Sequence, residues 1–237
     1  MIDLGSADIE QEAMKKTFWI TLISSLGYLV LALACLVSWG RPRPLQRLDY
    51  FASAYMVLRL IGSLHSLFSS RTVFDSTSLR KQWWALDSDP AGPQWVMVLM
   101  ALDLVVFLDY GHWRLTPWLL QSGLQATGLS LYIAVTVWQI WTDAYLAGYF
   151  RKSQEPLVPM NRGPYRYVRH PRYGAAMVGK IAMVLTFGSL FGWLLVIAWG
   201  VLLLNKIEIE ENHLRKMFGQ PYETYAQTTA KVIPGIY

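Results

Sequence analysis

The sequence predicts an all-α integral membrane protein, a transmembrane helical bundle with about five to six crossings that ends in a helical hairpin. Of its 237 residues, 54% are hydrophobic, and the mean hydropathy is +0.28. Only 16% are charged, whereas an average soluble domain carries about 25%. Several uncharged runs also reach the roughly 20 residues that a helix needs to cross the hydrocarbon core. Together these observations predict the membrane-embedded fold class.

The apolar runs give the candidate crossings in order. Residues 17–39 follow Lys15 and Lys16 without a charge, and this run is longer than the apolar core of a cleaved secretory signal. We therefore expect a retained transmembrane helix there. The further runs cover about 49–69, 94–110, 117–141 and 173–204.

The last run, 173–204, is too long for one ordinary crossing. It is interrupted near Gly188 and Gly192, so it predicts two helices joined by a tight turn. The most basic segment, 142–172, precedes this hairpin, and we expect a loop there. A polar, amphipathic segment, 205–237, follows the hairpin. The sequence contains neither an internal repeat nor a domain linker, so we expect the whole chain, 1–237, to form a single domain.

Ionisable residues occur inside the apolar runs, where they are costly and usually face protein or water. Arg59 lies in the second run, Asp103 lies in the third, and Lys180 is the only charge in the hairpin. One hypothesis is that Arg59 and Asp103 form an ion pair within the bundle. The alternative is that these runs are tilted or partly interfacial, so that the charged groups reach the membrane surface.

Positive charge predicts the orientation, because loops on the cytoplasmic side carry an excess of Lys and Arg. With six crossings and the N-terminus inside, the inner segments hold roughly 15 of these residues and the outer loops roughly 4. A rival arrangement makes 94–110 a non-crossing segment, places the N-terminus outside and gives roughly 13 against 6. Both arrangements place 142–172 and 205–237 on the cytoplasmic side.

The composition disfavours several classes of function. The net charge of +5 is modest, and the basic residues cluster beside apolar runs, which suits anionic lipid headgroups better than a nucleic-acid groove. The single cysteine, Cys35, lies in an apolar run, so neither an intrachain disulfide nor a cysteine metal cluster is expected. The four histidines show no metal-ligand spacing. We expect no metal and no nucleic-acid partner.

The first motif, NRGPYRYVRHPRY, covers residues 161–173. Its Gly163-Pro164 pair marks a turn, and Pro171 biases His170 towards an extended conformation while starting a helix itself. The backbone N–H groups at such a helix start would suit a carboxylate or another polar ligand group. The alternative is that the four arginines of this motif only anchor a transmembrane helix in the headgroup layer.

The second motif, KIEIEENHL, covers residues 206–214 and follows the apolar hairpin. Helical spacing places Lys206 and Glu210 on one strip, because residues four apart share a face. Glu211 lies on the neighbouring stripe, beside the apolar Ile207. A glutamate on an apolar stripe at a membrane boundary needs a cationic partner, either from the protein or from a ligand. The alternative is a solvated helix with salt bridges along its surface.

Taken jointly, these motifs resemble those of a known family. GPYRYVRHPRY, a hydrophobic hairpin, EENHL and then FGQPYETY are similar to the C-terminal region of the isoprenylcysteine carboxyl methyltransferase family. Its relatives include phospholipid N-methyltransferases and small-thiol methyltransferases. The resemblance covers about residues 155–236. It implies a variable transmembrane part, 1–154, and a cofactor-binding catalytic part, 155–237, within the single domain.

The resemblance implies a membrane-embedded enzyme that uses S-adenosyl-L-methionine without a Rossmann-like domain, with its cofactor pocket on the cytoplasmic side. In the family, the tyrosine of the turn, the HPxY residues and the first glutamate of the EE pair line the cofactor site. Two apolar residues upstream of the turn resemble the family's backbone contacts to the cofactor. The cofactor-binding residues implied here are Leu157, Val158, Tyr165, His170, Pro171, Tyr173 and Glu210.

The catalytic residues implied by the resemblance are His170, Lys206 and Glu210. A methyl group on a positively charged sulfur is already activated, so catalysis requires positioning and exclusion of water more than acid–base chemistry. His170 therefore fits a hydrogen-bond partner of the cofactor better than a general base. Glu210 suits the cofactor's amino group or ribose hydroxyls, and Tyr165 and Tyr173 suit its adenine or sulfonium.

The methyl acceptor stays open between an isoprenylcysteine carboxylate, a phospholipid amine and a small thiol. Lys206 is the expected substrate-binding residue, because the prenylcysteine enzymes carry an arginine here that meets the substrate carboxylate. Lysine keeps the charge but loses the bidentate geometry, which puts prenylcysteine methylation in doubt. The expected partners are a lipophilic acceptor and membrane lipids. Two other interpretations are a sterol-reductase-like enzyme that uses NADPH and a non-catalytic membrane scaffold.

Overall fold

A computed structural model describes residues 26–34, 50–74, 103–115, 117–152 and 161–235. Its helices are α1 (26–34), α2 (Tyr50–Phe74), α3 (103–108), α4 (Ser122–Lys152), α5 (Pro171–Phe187), α6 (Leu190–Phe218) and α7 (Gln220–Thr228). A π-helical turn, Asp109–Trp113, continues α3, and 3₁₀ turns cover Pro117–Leu119 and Gly163–Arg166. Within these ranges, the predicted all-α class is confirmed.

The predicted C-terminal hairpin is also confirmed. Helix α5 ends at Phe187, and Gly188 turns the chain with a φ of +61°, a left-handed conformation that glycine adopts without strain. Ser189 then caps α6, because its hydroxyl oxygen accepts a hydrogen bond from the Gly192 backbone N–H at 3.3 Å. The same hydroxyl donates to Asp109 Oδ2 at 2.6 Å. The turn is therefore tied both to its own helix and to the π-helical turn.

Close packing surrounds the hairpin. A Cβ atom on Gly128 of α4 would lie 2.6 Å from the backbone nitrogen of Thr186, so α4 and α5 approach each other closely only because residue 128 is glycine. A Cβ on Gly192 would lie 2.5 Å from Val184 in the same way. Phe187 packs edge-on against three rings, with centroids 5.0, 5.1 and 5.3 Å away, a favourable aromatic geometry: Phe107, Tyr55 and Tyr110. These contacts hold the hairpin turn against α2 and α3.

One helix of the described part, α6, is long and apolar enough to cross a membrane. Its first part, 190–204, carries no charge. Large apolar side chains are exposed along it: Leu190, Phe191, Leu194, Ile197, Val201 and Leu204. A soluble protein rarely exposes a continuous apolar surface of this kind. The length of this apolar helix and its exposed apolar surface suggest a membrane protein. The charged end of α6, from residue 206 onward, extends beyond the apolar part.

The segment 142–172 departs from the predicted basic loop, because α4 continues to Lys152. The reason is tertiary packing: Asp143 and Ala147 are buried and keep the chain helical beyond the apolar run. Of the other predicted crossings, the run 17–39 is described only over 26–34, and most of the run 94–110 lies outside the described residues. The number of crossings therefore stays a prediction.

The hypothesis of an ion pair inside the bundle is confirmed. Arg59 Nη2 lies 3.3 Å from Asp103 Oδ2, and the Asp103 side chain is 3% exposed. Tyr28 donates its hydroxyl to the same oxygen at 2.9 Å. Lys180 of α5, for which no partner was predicted, pairs with Asp103 Oδ1. The buried Asp103 carboxylate on α3 thus contacts α1, α2 and α5. The hydrogen bonds from Tyr28, Arg59 and Lys180 compensate the free-energy cost of removing this carboxylate from water.

We expect Arg59→Ala and Asp103→Ala to be energetically coupled. Each single substitution leaves the other member of the pair without this partner, either a carboxylate that is 3% exposed or a guanidinium that is 24% exposed. The double variant should therefore be less destabilised than the sum of the two, by about 1 kcal/mol or more. Unfolding of the detergent-solubilised variants measures the coupling. Arg59→Ala combined with Glu208→Ala, on the charged end of α6, is the control and should be additive. Additivity for Arg59 and Asp103 would contradict the pair.

Candidate functional site

The site is built on the segment between α4 and α5, which contains the first motif. Gly163 begins the 3₁₀ turn with a φ of +59°, and a Cβ atom there would lie 2.6 Å from the ring of Tyr145 on α4. Glycine is therefore required both for its backbone conformation and for space. His170 precedes α5 in a non-helical conformation, and Pro171 is the first residue of the helix, as the motif predicts.

The C-terminal tail holds this segment through its backbone. Val168 and Ala230 form an isolated parallel bridge. The backbone N–H groups of Arg169 and His170 donate to the carbonyl oxygens of Ala230 and Lys231, at 2.8 and 2.9 Å. Buried backbone donors need partners of this kind, so the residues just before α5 depend on the end of the chain for their conformation.

Two tyrosines add a side-chain contact between the same parts. Tyr225 of α7 donates its hydroxyl to the carbonyl oxygen of Tyr165 at 2.6 Å. Burial raises the pKa of both hydroxyls well above the usual range, so both remain neutral donors at physiological pH. At Tyr165, the Arg172 charge lowers the pKa and the Glu210 carboxylate raises it further. Tyr165 and Glu210, two of the predicted cofactor residues, therefore influence each other within one site.

A buried ion pair joins the first motif to the second. Arg169 Nε donates to Glu211 Oε1 at 2.8 Å, and the two side chains are 8% and 0% exposed. Arg169 Nη1 also donates to the carbonyl oxygens of Ala226, at 2.7 Å, and Thr229. Arg215 Nη2 donates to the other oxygen, Glu211 Oε2, at 3.1 Å. The prediction that Glu211 has a cationic partner is confirmed, and the protein supplies two: Arg169 and Arg215.

His170 lies between the two glutamates of the second motif and is 4% exposed. Its Nε2 atom lies 3.2 Å from Glu211 Oε1, within hydrogen-bond distance, whereas its Nδ1 atom lies 3.8 Å from Glu210 Oε2, beyond it. The ring of Tyr173 stacks on the imidazole, with centroids 5.6 Å apart and an interplanar angle of 28°. The Glu210 side chain is 25% exposed, so its carboxylate is accessible to a ligand.

The structure brings together most of the residues predicted for the site. Five of them surround the start of α5: Tyr165, His170, Pro171, Tyr173 and Glu210. Lys206 lies one turn before Glu210 on α6 and is partly exposed. Leu157 and Val158 fall within 153–160, outside the described residues. The roles of all these residues towards a cofactor remain predictions.

Contacts with α4 were missed by the sequence analysis. Trp138 donates its indole N–H to the carbonyl oxygen of Pro171 at 3.3 Å. Arg172 Nε lies 3.3 Å from Asp143 Oδ1. Both contacts fix the first turn of α5 against α4. The sequence did contain one indication of the Asp143–Arg172 contact: Asp143 is an acidic residue directly after an apolar run and precedes a segment with many arginines.

The chemistry of these groups fits S-adenosyl-L-methionine. Glu210 contacts His170 at more than hydrogen-bond distance, so its oxygens can accept from the amino or hydroxyl groups of a ligand. Tyr165 supplies a neutral hydroxyl. Tyr173 supplies an aromatic face, which suits either a flat base or a cation.

Arg169→Met should destabilise the protein by about 3–5 kcal/mol, because it leaves the buried Glu211 carboxylate with one arginine fewer. The unfolding midpoint in detergent measures the loss. Arg172→Met is the matched control: its side chain is 52% exposed, and the ion pair of such a group contributes about 1 kcal/mol or less. Equal losses for the two variants would contradict a special role for Arg169.

Comparison with known proteins agrees with this description. Residues 122–221 match the family model for phospholipid methyltransferases, PEMT. The matched region begins with α4 and ends at the start of α7, so it includes both motifs and the hairpin between them. No curated protein matches the chain at a significant level. The family resemblance drawn from the motifs is confirmed, since residues 122–221 of this chain match the phospholipid methyltransferase family model.

Proposed function

We propose that the protein is an integral-membrane methyltransferase that uses S-adenosyl-L-methionine to methylate a lipophilic or membrane-partitioning acceptor. The family match supports the class of reaction. The observation that carries the proposal is the position of His170, between Glu210 and Glu211. These residues lie where the charged end of α6 extends beyond its apolar part. Such a site is accessible to a soluble cofactor and close to a membrane-embedded acceptor.

When bound, S-adenosyl-L-methionine would supply a methyl group on a positively charged sulfur: the acceptor would form a bond to the methyl carbon in line as the carbon–sulfur bond breaks, and the sulfur would leave as a neutral thioether. The protein's own residues bind, orient and exclude water, because positioning supplies most of what this reaction needs. Glu210 accepts hydrogen bonds from amino or hydroxyl groups. Tyr165 and Tyr173 pack against flat or cationic parts of the ligand. His170 is a hydrogen-bond partner and not the general base.

Lys206 is the proposed contact to the methyl acceptor. It lies on α6 between Glu210 and the apolar part, 190–204, on the side from which a membrane-embedded acceptor approaches. Its ammonium group suits an anionic group, either a carboxylate or a lipid phosphate, as a point charge without the bidentate geometry of arginine. The acceptor classes that fit are a carboxylate, the amine of a phospholipid and a small thiol.

We further propose a multi-pass arrangement with the catalytic side towards the cytoplasm. Exposed apolar side chains on α2 and α4 support additional crossings: Val57, Ile61, Ile133 and Val137. The concentration of Lys and Arg in 142–172 and 205–237 supports the orientation, because such residues are retained on the cytoplasmic side.

Calorimetric titration of the detergent-purified protein tests the cofactor. S-adenosyl-L-methionine should bind and NADPH should not. Glu210→Ala should abolish S-adenosyl-L-methionine binding while the protein remains folded, because the carboxylate is partly exposed and carries little of the packing. Glu208→Ala, on the same helix and 53% exposed, should bind as the wild type does. Full affinity in Glu210→Ala, or binding of NADPH alone, would contradict the proposal.

Lys206→Ala should raise the Michaelis constant for the acceptor by roughly tenfold, because a charge-assisted hydrogen bond is lost, and should spare the affinity for S-adenosyl-L-methionine. Transfer of labelled methyl groups to a panel of carboxylate, amine and thiol acceptors in mixed micelles provides the measurement. Lys206→Arg should retain activity, and Lys216→Ala, at the exposed end of α6, should leave both constants unchanged. Loss of cofactor affinity alone would mean that Lys206 serves the cofactor.

A further inference from the structure

We propose that Glu211 is a positioning residue: it holds a proton of His170 at Nε2, so that Nδ1 is the nitrogen that meets the ligand beside Glu210. This role rests on the proposed function of the site. The first glutamate of the EE pair is the one that the family resemblance assigns to the cofactor. Glu211 is fully buried, so it cannot contact a ligand directly and acts through His170.

The position of the proton follows from the partners of Glu211. Arg169 Nε lies 2.8 Å from Oε1, and Arg215 Nη2 lies 3.1 Å from Oε2. Guanidinium groups are permanently charged and only donate, so a carboxylate between two of them is ionised and only accepts. His170 Nε2 lies 3.2 Å from Oε1 of the same carboxylate. At this distance the imidazole must donate, and Nε2 carries a hydrogen.

The orientation of the ring is fixed from two further sides. The backbone N–H of His170 donates to the Lys231 carbonyl oxygen at 2.9 Å, which holds the main chain against the tail. The stacked ring of Tyr173, inclined by 28°, holds the plane of the imidazole. With Nε2 directed at Glu211, Nδ1 is left on the side of Glu210, 3.8 Å from its Oε2 atom.

The two groups that face the ligand, His170 Nδ1 and the Glu210 carboxylate, favour a positively charged hydrogen-bond donor. In the neutral imidazole with its hydrogen on Nε2, Nδ1 carries a lone pair, so Nδ1 and Glu210 Oε2, 3.8 Å apart, are two acceptors that face each other. A group with several N–H donors and a positive charge can donate to both. The ammonium group of the amino-acid part of S-adenosyl-L-methionine has this chemistry. Glu211 thereby sets the polarity of a site that it does not touch.

The test combines ¹⁵N-histidine NMR with calorimetry. In the wild type with saturating S-adenosyl-L-methionine, the His170 signals, assigned by their loss in His170→Gln, should show a protonated Nε2 and an unprotonated Nδ1. Glu211→Gln should give a mixture of tautomers and bind S-adenosyl-L-methionine about tenfold more weakly, because a charge-assisted hydrogen bond that orients the ring is lost. Glu208→Gln is the matched control and should change neither the spectrum nor the affinity.

Three results would overturn the role of Glu211: a proton on Nδ1 in the wild type, whether or not Nε2 is also protonated, an unchanged His170 spectrum in Glu211→Gln, or unchanged affinity in that variant. His170→Gln covers the case in which Glu211→Gln does not fold. Its amide nitrogen replaces Nε2 and keeps the contact with Glu211, but it has no counterpart of Nδ1, so a folded protein with at least tenfold weaker binding is expected. Wild-type affinity in His170→Gln would also contradict the role.

If S-adenosyl-L-methionine does not bind at all, the proposed function fails, and the tautomer in the free protein still tests Glu211.

Discussion

The buried ion pair between Arg169 and Glu211 is the interaction on which the site depends. Removing two charges from water costs several kcal/mol each, and their attraction compensates this only when the remaining hydrogen-bonding capacity is used. Here Glu211 accepts from two arginines and one histidine, and Arg169 also donates to two carbonyl oxygens at the end of α7 and beyond it. The segment before α5, helix α6 and the end of α7 therefore meet at one pair of charges.

The same principle holds deeper in the bundle, at Asp103. This carboxylate accepts from Tyr28, Arg59 and Lys180, each on a different helix. Lys180 and His170 are ten residues apart along the chain, or about 15 Å along the axis of α5. Two satisfied networks thus hold α5 at two levels, one among the apolar helices and one at the site. Helix α5 can then present His170 and Tyr173 in a fixed position.

Local sequence patterns predicted the elements and the polarity of their faces. The break at Gly188, the helix start at Pro171 and the burial of Glu211 beside Ile207 follow from rules that act within a few residues. Long-range partners were harder to predict, and the pair of Arg59 with Asp103 was the one ion pair for which the sequence analysis named both residues. This pair could be predicted because few charged residues occur in the apolar runs, so few pairings are possible. Neither a backbone bridge nor the partner of Lys180 leaves a periodic signal in one sequence.

The adjacent glutamates of the second motif show how a helix gives two identical side chains different functions. Successive residues on an α-helix point about 100° apart, so Glu210 and Glu211 cannot share an environment at the edge of a packed bundle. Glu211 shares the stripe of Ile207 and is fully buried, whereas Glu210 is 25% exposed. His170 lies between them and has one nitrogen for each. A pair of acids that a sequence alone presents as equivalent is therefore divided, by helix geometry, between holding the histidine and meeting the ligand.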